Sequence, residues 1–396
     1  MKVIKNLISK YALMLAVPIL LFVVLSIIFH GVIGTNNIPS LMQQAVAPAI
    51  LGWGVLFNIK VGNWDFSVGS VVLLSAIIGG NIAVRLNWGF AGLLIFCLLV
   101  AVLAGVVVGL VYYFLKIPTI ITSIGMLLIY ESISSYAFEG QGIYLTGWNL
   151  LGNTEIVIIA IVAAATAYLI FYRSSIGYNV RAVGNNMNIA AQNGLNVYRV
   201  KAVAIAIAGL FAGLYAFISL GTSGVQKTVS SMGTMGTCFD AMMCVFVGMS
   251  ITRRGNLVAG IFCGSLVMQL VKLALMAIGI PSEYNSIFIA IFVLIFMTMD
   301  AYTNNRAPRR KKETAEMKLF ISADIEGCAG VALTDETHKK ESVYQRFAEE
   351  MTEEVVAACE AAHEAGADEI VVKDGHGDAS NIDPLKMPEY VTLIRG

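Results

Sequence analysis

Charge is scarce in this sequence. Only 13% of its 396 residues are Asp, Glu, Lys or Arg, while 57% are hydrophobic. Water-soluble domains carry about a quarter charged residues. With a mean hydropathy of +0.76, the chain as a whole is excluded from the soluble globular class and points to a polytopic membrane protein. Cysteine is equally uninformative as a scaffold. The six residues Cys97, Cys238, Cys244, Cys263, Cys328 and Cys359 form no CxxC pair, which excludes a disulfide framework and a Cys-based zinc ribbon. No GxxxxGK[ST] phosphate loop is present, so the chain cannot hydrolyse ATP through such a loop. The basic start MKVIKNLISK precedes a long apolar run, but no small-residue cleavage site follows it. The run is therefore read as a retained first helix rather than a signal peptide.

What is present is a succession of apolar runs of about 20 residues, the length a helix needs to cross hydrocarbon. They fall near 11–30, 41–59, 66–84, 90–114, 118–138, 154–171, 201–220, 236–252, 257–279 and 285–303, about ten spans. Segments such as SAIIGG, LAGVVVGL and AIAGLFAGL place small residues four apart, which lets helix backbones approach closely. With the N-terminus inside, the inner segments carry Lys2, Lys5, Lys10, Lys60, Lys116, Arg173, Arg181, Arg199, Lys201, Arg253, Arg254 and RRKK at 309–312, and the outer ones carry only Arg85 and Lys227. That bias predicts both termini in the cytoplasm.

The net charge of zero hides two regimes. Residues 1–303 hold 14 basic and 7 acidic residues, and residues 317–396 hold 7 basic and 17 acidic. Between them the linker 304–316 is basic, with RRKK expected to fix topology at the membrane surface rather than to bind nucleic acid. The sequence divides into a membrane domain, 1–303, that linker, and a soluble α/β segment, 317–396.

The segment 173–201, RSSIGYNVRAVGNNMNIAAQNGLNVYRVK, is too long and polar for a turn. It predicts one short helix, 186–192, stopped by Asn193-Gly194. RAVGNNMNIAAQNGLNV resembles the coupling loop of ABC importer permeases of the ribose and simple-sugar class, through Gly184, Asn186, Ala190, Ala191, Gly194, Asn196 and Val197. The resemblance extends over about 1–303, through DFSVGS at 65–70, the stretch with Pro118, Thr122 and Gly125, and a late glycine-containing block around Gly248 and Gly255. It implies a permease for a simple sugar or nucleoside-like solute in the bacterial inner membrane. Its implied partners are ATP-binding cassette subunits docked on the 173–201 loop, an extracytoplasmic solute-binding protein and a second permease copy or paralogue. No cofactor is implied for the permease itself.

Ionisable residues inside spans are costly and default to function. Asp65, Glu131 and Asp240, with Ser67 and Ser70, are thus candidates to line the solute pathway, the alternative for each charge being a structural or interfacial place. Lys272 is weighed in the same two ways, its structural reading being to snorkel, and Trp53 and Trp64 are read as interfacial anchors in preference to sugar-stacking platforms.

After Met317 the pattern changes. KLFISA (318–323), EIVVK (369–373) and VTLI (391–394) read as strands, and apolar positions from Val343 to Ala362 recur at helical spacing. A parallel sheet would gather ligands at its carboxyl edge. There Asp324 and Glu326 follow the first strand, and Asp374 and His376 the second. Two carboxylates and an imidazole suit zinc. SADIEG followed by KDGHGD resembles the start of the zinc-dependent D-aminopeptidase family, with Asp324, Glu326 and His376 at its first ligand positions. That resemblance implies a further histidine, a carboxylate and a catalytic histidine farther downstream than Gly396. The expectation is an incomplete site that binds zinc weakly and hydrolyses nothing. The rivals are a secondary transporter and a membrane-tethered D-aminopeptidase completed in trans.

Overall fold

The protein is described by a computed structural model covering residues 2–280 other than 149, 253 and 254, isolated positions between 284 and 298, and residues 318–396; side chains are described from Met14 onward. Most of the tenth expected span, the linker with RRKK, Met317, Arg253 and Arg254 lie outside the described residues. The chain forms two compact units, Met1–Ala301 and Tyr302–Gly396.

The first unit is helical. Helices α1 (Lys2–Ile28), α2 (Ile38–Lys60), α3 (Val68–Leu86), α4 (Gly89–Leu115), α5 (Thr119–Tyr136) and α6 (Asn153–Arg173) come first in the chain. Two short helices, α7 (Ser175–Asn185) and α8 (Met187–Gln192), precede α9 (Val197–Ser223), α10 (Met235–Ile251) and α11 (Leu257–Ala277). Among the described residues, 7 helical stretches are long and apolar enough to cross a membrane: Thr35–Lys60, Val68–Leu86, Gly89–Leu115, Thr119–Gly140, Asn153–Arg173, Val197–Ser223 and Leu257–Ala277. The apolar parts of α1 and α10, Met14–Ile28 and Met235–Ile251, are shorter. Among the described residues, seven of the ten expected spans meet that length and composition, two are the shorter helices α1 and α10, and the tenth lies mostly outside.

Local chemistry sets the ends of these helices. The side chains of Asn196 and Asn256 accept backbone N–H bonds at the starts of α9 and α11. Gly224, at φ 70°, stops α9 in the left-handed conformation that glycine adopts without penalty. Within α3 the residues Ser75–Gly79 form a π-helical turn. One turn on, the Asn81 side-chain amide donates to the carbonyls of Ile77 at 2.8 Å and Gly142 at 3.0 Å. Gly142 leads into a two-residue antiparallel ribbon, β1 (Ile143–Tyr144) with β2 (Val225–Gln226).

The most extensive helix pair is α4 with α9. A Cβ on Gly105 would lie 2.9 Å from the Gly209 Cα, one on Gly109 would lie 2.6 Å from the Ala202 carbonyl oxygen, and one on Gly209 would lie 2.7 Å from that of Ala101. Gly105 and Gly109 are spaced four apart on α4, as the sequence pattern predicts for close packing. Trp53 departs from the expected interfacial place. It is buried, and its indole N–H donates to the Val258 carbonyl at 2.8 Å, tying α2 to α11. An indole taken out of water needs such a partner.

The second unit holds a three-stranded parallel sheet, β3 (Lys318–Ala323), β4 (Glu369–Asp374) and β5 (Val391–Ile394), with β4 central. Helix α12 (Tyr344–Glu364) packs Met351, Val355 and Cys359 into the same core as Ile370 and Val372. Parallel strands of one sheet require a crossover of this kind.

Replacing Gly105 by Leu is expected to force α4 from α9 and to destabilise the detergent-solubilised chain by about 1–3 kcal/mol, as overpacking does. Gly125→Ala meets open space within 4 Å and is expected to leave the thermal midpoint unchanged. Equal midpoints for the two variants would refute the close-approach account.

Candidate functional sites

The segment between α6 and α9 is more ordered than the single helix expected from the sequence. An additional helix, α7, occupies Ser175–Asn185. Ser174 caps it by accepting from the Gly177 N–H at 3.1 Å. Two glycines seat it. A Cβ on Gly177 would lie 2.2 Å from the carbonyl oxygens of Ile170 and Phe171, and one on Gly184 would lie 2.0 Å from that of Lys60. Only glycine permits both approaches, so α7 lies against the ends of α6 and α2. Arg181 adds a bond to the Phe171 carbonyl and stands over the Phe171 ring, 5.5 Å from its centroid.

Asn186 turns the chain from α7 into α8. Its side-chain oxygen accepts from Asn188 and Ile189 N–H groups at 3.0 and 3.1 Å. Ala190 is the buried anchor of α8, and Gly194, at φ 82°, ends it. Asn196 accepts from the Arg199 N–H at 3.0 Å and starts α9. Of the seven residues named in this segment, five therefore shape the backbone, Ala191 is exposed and Val197 is partly buried. The segment exposes the apolar side chains of Ile176, Tyr178, Met187, Ile189 and Tyr198, rimmed by polar ones such as Asn188 and Gln192. Sequence reasoning passed over Gly177 and these side chains because the signal of the loop lies in its caps and turns.

The charged candidates in the spans separate by contact. Asp65 is buried; it accepts from Asn58 at 3.0 Å and from the Ser67 hydroxyl and N–H at 2.6 and 3.0 Å. Ser67 and Ser70 are buried beside it, and the Ser70 hydroxyl donates back to the Ser67 carbonyl at 2.8 Å. Glu131 is also buried. It accepts from the N–H groups of Met232 and Thr234, both at 2.9 Å, and from the Thr234 hydroxyl at 2.7 Å. These contacts brace the approach to α3 and the approach to α10. Asp240 differs. It pairs with Lys272 at 2.7 Å, and both side chains are partly exposed. Lys272 therefore reaches across to α10 instead of snorkelling along its own helix.

In the second unit the carboxyl ends of β3 and β4 bring three expected residues together. One donor atom each from Asp324, Glu326 and His376 lies within 4.8 Å of the others. The His376 Nδ1 is 2.8 Å from Glu326 Oε2 and 3.2 Å from Asp324 Oδ1. Its Nε2 is 3.0 Å from the Thr337 carbonyl oxygen. A carbonyl only accepts, so Nε2 carries the proton, and in the neutral ring the Nδ1 lone pair faces the two carboxylates. Three lone-pair donors turned toward one point fit a divalent cation, with the Thr337 carbonyl orienting the imidazole from behind. The carboxylates are poised unequally. Asp324 is raised, chiefly by its hydrogen bond with Glu326 and then by burial, while the same bond lowers Glu326.

Asp374 stands apart from this cluster. It is fully buried and accepts from the Asn381 N–H and side-chain amide at 2.6 and 2.8 Å and from the Ile382 N–H at 3.0 Å. Burial alone would raise its carboxyl, but the bonds from Asn381, Ile382 and His376 outweigh it and hold the group below its ordinary value. Asp374 thus fixes the loop that carries His376. Of the other histidines, His363 stacks on Tyr390 at 4.0 Å between ring centroids, and His338 follows a short 3-10 turn.

An apolar multi-helix unit, a capped and glycine-seated connecting segment and bonded intramembrane carboxylates define a multi-pass membrane transport protein. Residues 37–297 match the family model described as branched-chain amino acid transport system / permease component, and the chain belongs to that family. It is 28% identical over 289 residues to the autoinducer 2 import system permease protein of Photorhabdus luminescens, covering 69% of this chain and 84% of that protein. It is 25% identical over 282 residues to the ribose import permease protein of Escherichia coli K12, covering 67% and 85%. The L-arabinose ABC transporter permease protein of Azospirillum brasilense is 24% identical over 303 residues, covering 73% and 86%. Residues 317–396 match a second family model, D-aminopeptidase. No solved structure matches the chain.

A carboxyl held below its ordinary value stabilises the fold above the unfolded pKa of about 4, and that contribution is lost as pH falls through the lower folded value. In the full chain, the protection of amides across 374–382 relative to their intrinsic exchange rates is therefore expected to fall on acidification below about pH 4. Asp374→Asn is expected to show the lowered protection already at pH 7. Slow exchange in that variant at neutral pH would contradict the bracing role.

Proposed function

We propose that the membrane unit is the permease subunit of an ATP-driven importer for a simple sugar or nucleoside-like solute. The observation that carries this reading is the segment between α6 and α9. Its capping asparagines and close-packed glycines hold two short helices that expose the apolar side chains of Ile176, Tyr178, Met187 and Ile189 among polar ones. An exposed apolar patch rimmed by polar groups suits a protein partner. Here the partner is an ATP-binding subunit, since relatives at 24–28% identity are import permeases or an ABC transporter permease. On this reading α7 and α8 receive the motion of the ATPase and pass it to α2, α6 and α9, the helices they touch or continue into. The excess of Lys and Arg on one side supports cytoplasmic termini. A second permease copy or paralogue and an extracytoplasmic solute-binding protein complete the assembly.

For the second unit we propose a divalent metal site, zinc by donor chemistry, held by Asp324, Glu326 and His376. Bound zinc would supply Lewis-acid polarisation of a carbonyl or a bound water. Asp374 holds the His376 loop, and the Thr337 carbonyl fixes the imidazole tautomer. No other Cys, His, Asp or Glu joins the three among the described residues, and two of them are largely exposed. This donor set supports weak binding without peptidase turnover.

In proteoliposomes with its ATPase and binding protein, the full chain is expected to take up solute only with ATP, and Ile189→Asp to lose ATPase coupling by at least about tenfold, the cost of a buried charge at an interface. Uptake independent of both partners would identify a secondary transporter instead. Zinc bound per full chain, measured by mass spectrometry of the metal, is expected to fall in His376→Ala. Hydrolysis of a D-alanyl dipeptide by the zinc-loaded chain would overturn the inactive reading.

A further inference from the structure

One flank of the α4–α9 seam is open. A groove of about 420 Å³ runs along it. On each helix it is lined at positions i, i+3, i+4 and i+7, from Val106 to Tyr113 on α4 and from Arg199 to Ala206 on α9. Such spacing keeps to one face of a helix, so the groove is bounded by one face of each. Gly109 and Ala202 form its floor, where the two backbones approach most closely. Val106 and Leu110 on its rim are exposed. The two helices run in opposite directions, since Gly109 meets Ala202 while Gly105 meets Gly209. The end of α4 therefore lies beside the start of α9, and Tyr113 and Arg199 share one end of the groove.

That end is cationic. Arg199 is exposed, and the Lys116 ammonium, just past the end of α4, lies 5.8 Å from the centroid of the Tyr198 ring. Among the described residues no carboxylate pairs with either cation. The rest of the groove is apolar. Both helices are candidate membrane spans, and that of α4 has the highest hydropathy of the seven. An exposed apolar flank on such helices meets lipid. From Tyr113 the groove runs seven residues along α4, about 10 Å, which suits the upper part of an acyl chain. A second copy of this chain suits it less. Related by a two-fold axis along the membrane normal, it would bring its own Arg199 and Lys116 to the same depth, like charge against like.

We propose that this groove binds an anionic phospholipid, and the proposal takes from the permease reading above only the cytoplasmic side on which the groove opens. The acyl chain lies over Gly109 and Ala202. The phosphate meets the Arg199 guanidinium, whose fork of donors matches phosphate oxygens, with Lys116 beside it. Basic pockets between membrane helices on the cytoplasmic side are where such headgroups are held. A zwitterionic lipid enters the same groove but sets its own cation near Arg199, so headgroup charge decides the preference. The bound lipid joins α4 to α9 at the end where the α7–α8 segment enters.

The test uses the purified full chain in neutral detergent, with phosphatidylglycerol and phosphatidylcholine of identical acyl chains as probes and native mass spectrometry to count the lipid retained. Wild type is expected to prefer phosphatidylglycerol. Arg199→Gln is expected to lose about fivefold of that preference, the worth of one basic residue at a lipid surface, and Arg199→Lys to keep most of it. Lys227→Gln removes an exposed cation outside the groove and is expected to change nothing. Val106→Trp is expected to fill the groove and reduce retention of both lipids. The Arg199 variants carry the test even where Val106→Trp alters packing, because their side chain is exposed and the thermal midpoint in lipid-free detergent is expected to hold. Equal retention of the two lipids by wild type, an unchanged preference in Arg199→Gln, or an equal loss in Lys227→Gln would each overturn the proposal. So would disulfide-linked pairs of Leu110→Cys chains in the membrane above the wild-type background, which would put a second copy in the groove. Neither ATPase nor solute enters these measurements. If ATP-dependent uptake fails while the lipid preference holds, the permease reading falls and the lipid site stands.

Discussion

Backbone meets backbone between α4 and α9, and most of the membrane unit is referred to that contact. Inside a bilayer there is little hydrophobic force to press helices together, so van der Waals contact at short range and a few hydrogen bonds must suffice. Gly105, Gly109 and Gly209 remove the side chains that would hold the two axes apart. Helix α9 then fixes both ends of the unit. Its start, capped by Asn196, receives the chain from α8, and its end at Gly224 leads into the β1–β2 ribbon. A looser α4–α9 seam would uncouple the α7–α8 segment at the start of α9 from the β1–β2 ribbon at its end.

A second constraint acts on everything polar that this packing buries. Asp65 and Glu131 take carboxyl groups into the interior only because several donors meet each of them, and Trp53 and Ser265 enter because the carbonyls of Val258 and Ala45 accept from them. In the second unit Asp374 obeys the same rule in a soluble setting. Its three neighbours in the loop after β4 satisfy it, and in doing so they aim His376. The two units thus solve one problem with different means, one with asparagine, serine and threonine on helix ends, the other with a strand-end carboxylate.

Much of this was legible in the sequence. The positions of the helices follow from apolar run length, which the bilayer imposes, and the β3–α12–β4 order follows from a change of period after Met317. The meeting of Asp324, Glu326 and His376 was legible because parallel strands put their carboxyl ends side by side. What was not legible depends on distant partners. Trp53 reads as an interfacial anchor until the Val258 carbonyl, 205 residues away, is placed beside it. Lys272 reads as a snorkelling lysine until Asp240 is seen on the neighbouring helix. Helix α7 escaped because its strongest determinants are the carbonyls of Lys60, Ile170 and Phe171, which give Gly177 and Gly184 their meaning and leave no mark in local composition.

The π-helical turn Ser75–Gly79 has a consequence for how this protein can change over time. A turn with one residue too many leaves backbone bonding less regular than an α-helix, and deleting one residue there would mend it. The repaired helix would be locally better, yet its far end would rotate by about 100° and carry Asn81 away from the Gly142 carbonyl that it reaches at 3.0 Å. An improvement in the element would thus be a loss for the whole. The irregular turn is a ratchet: once the ribbon at Ile143–Tyr144 came to depend on the shifted phase, the extra residue could no longer be removed without a second, simultaneous change on the other side of the contact.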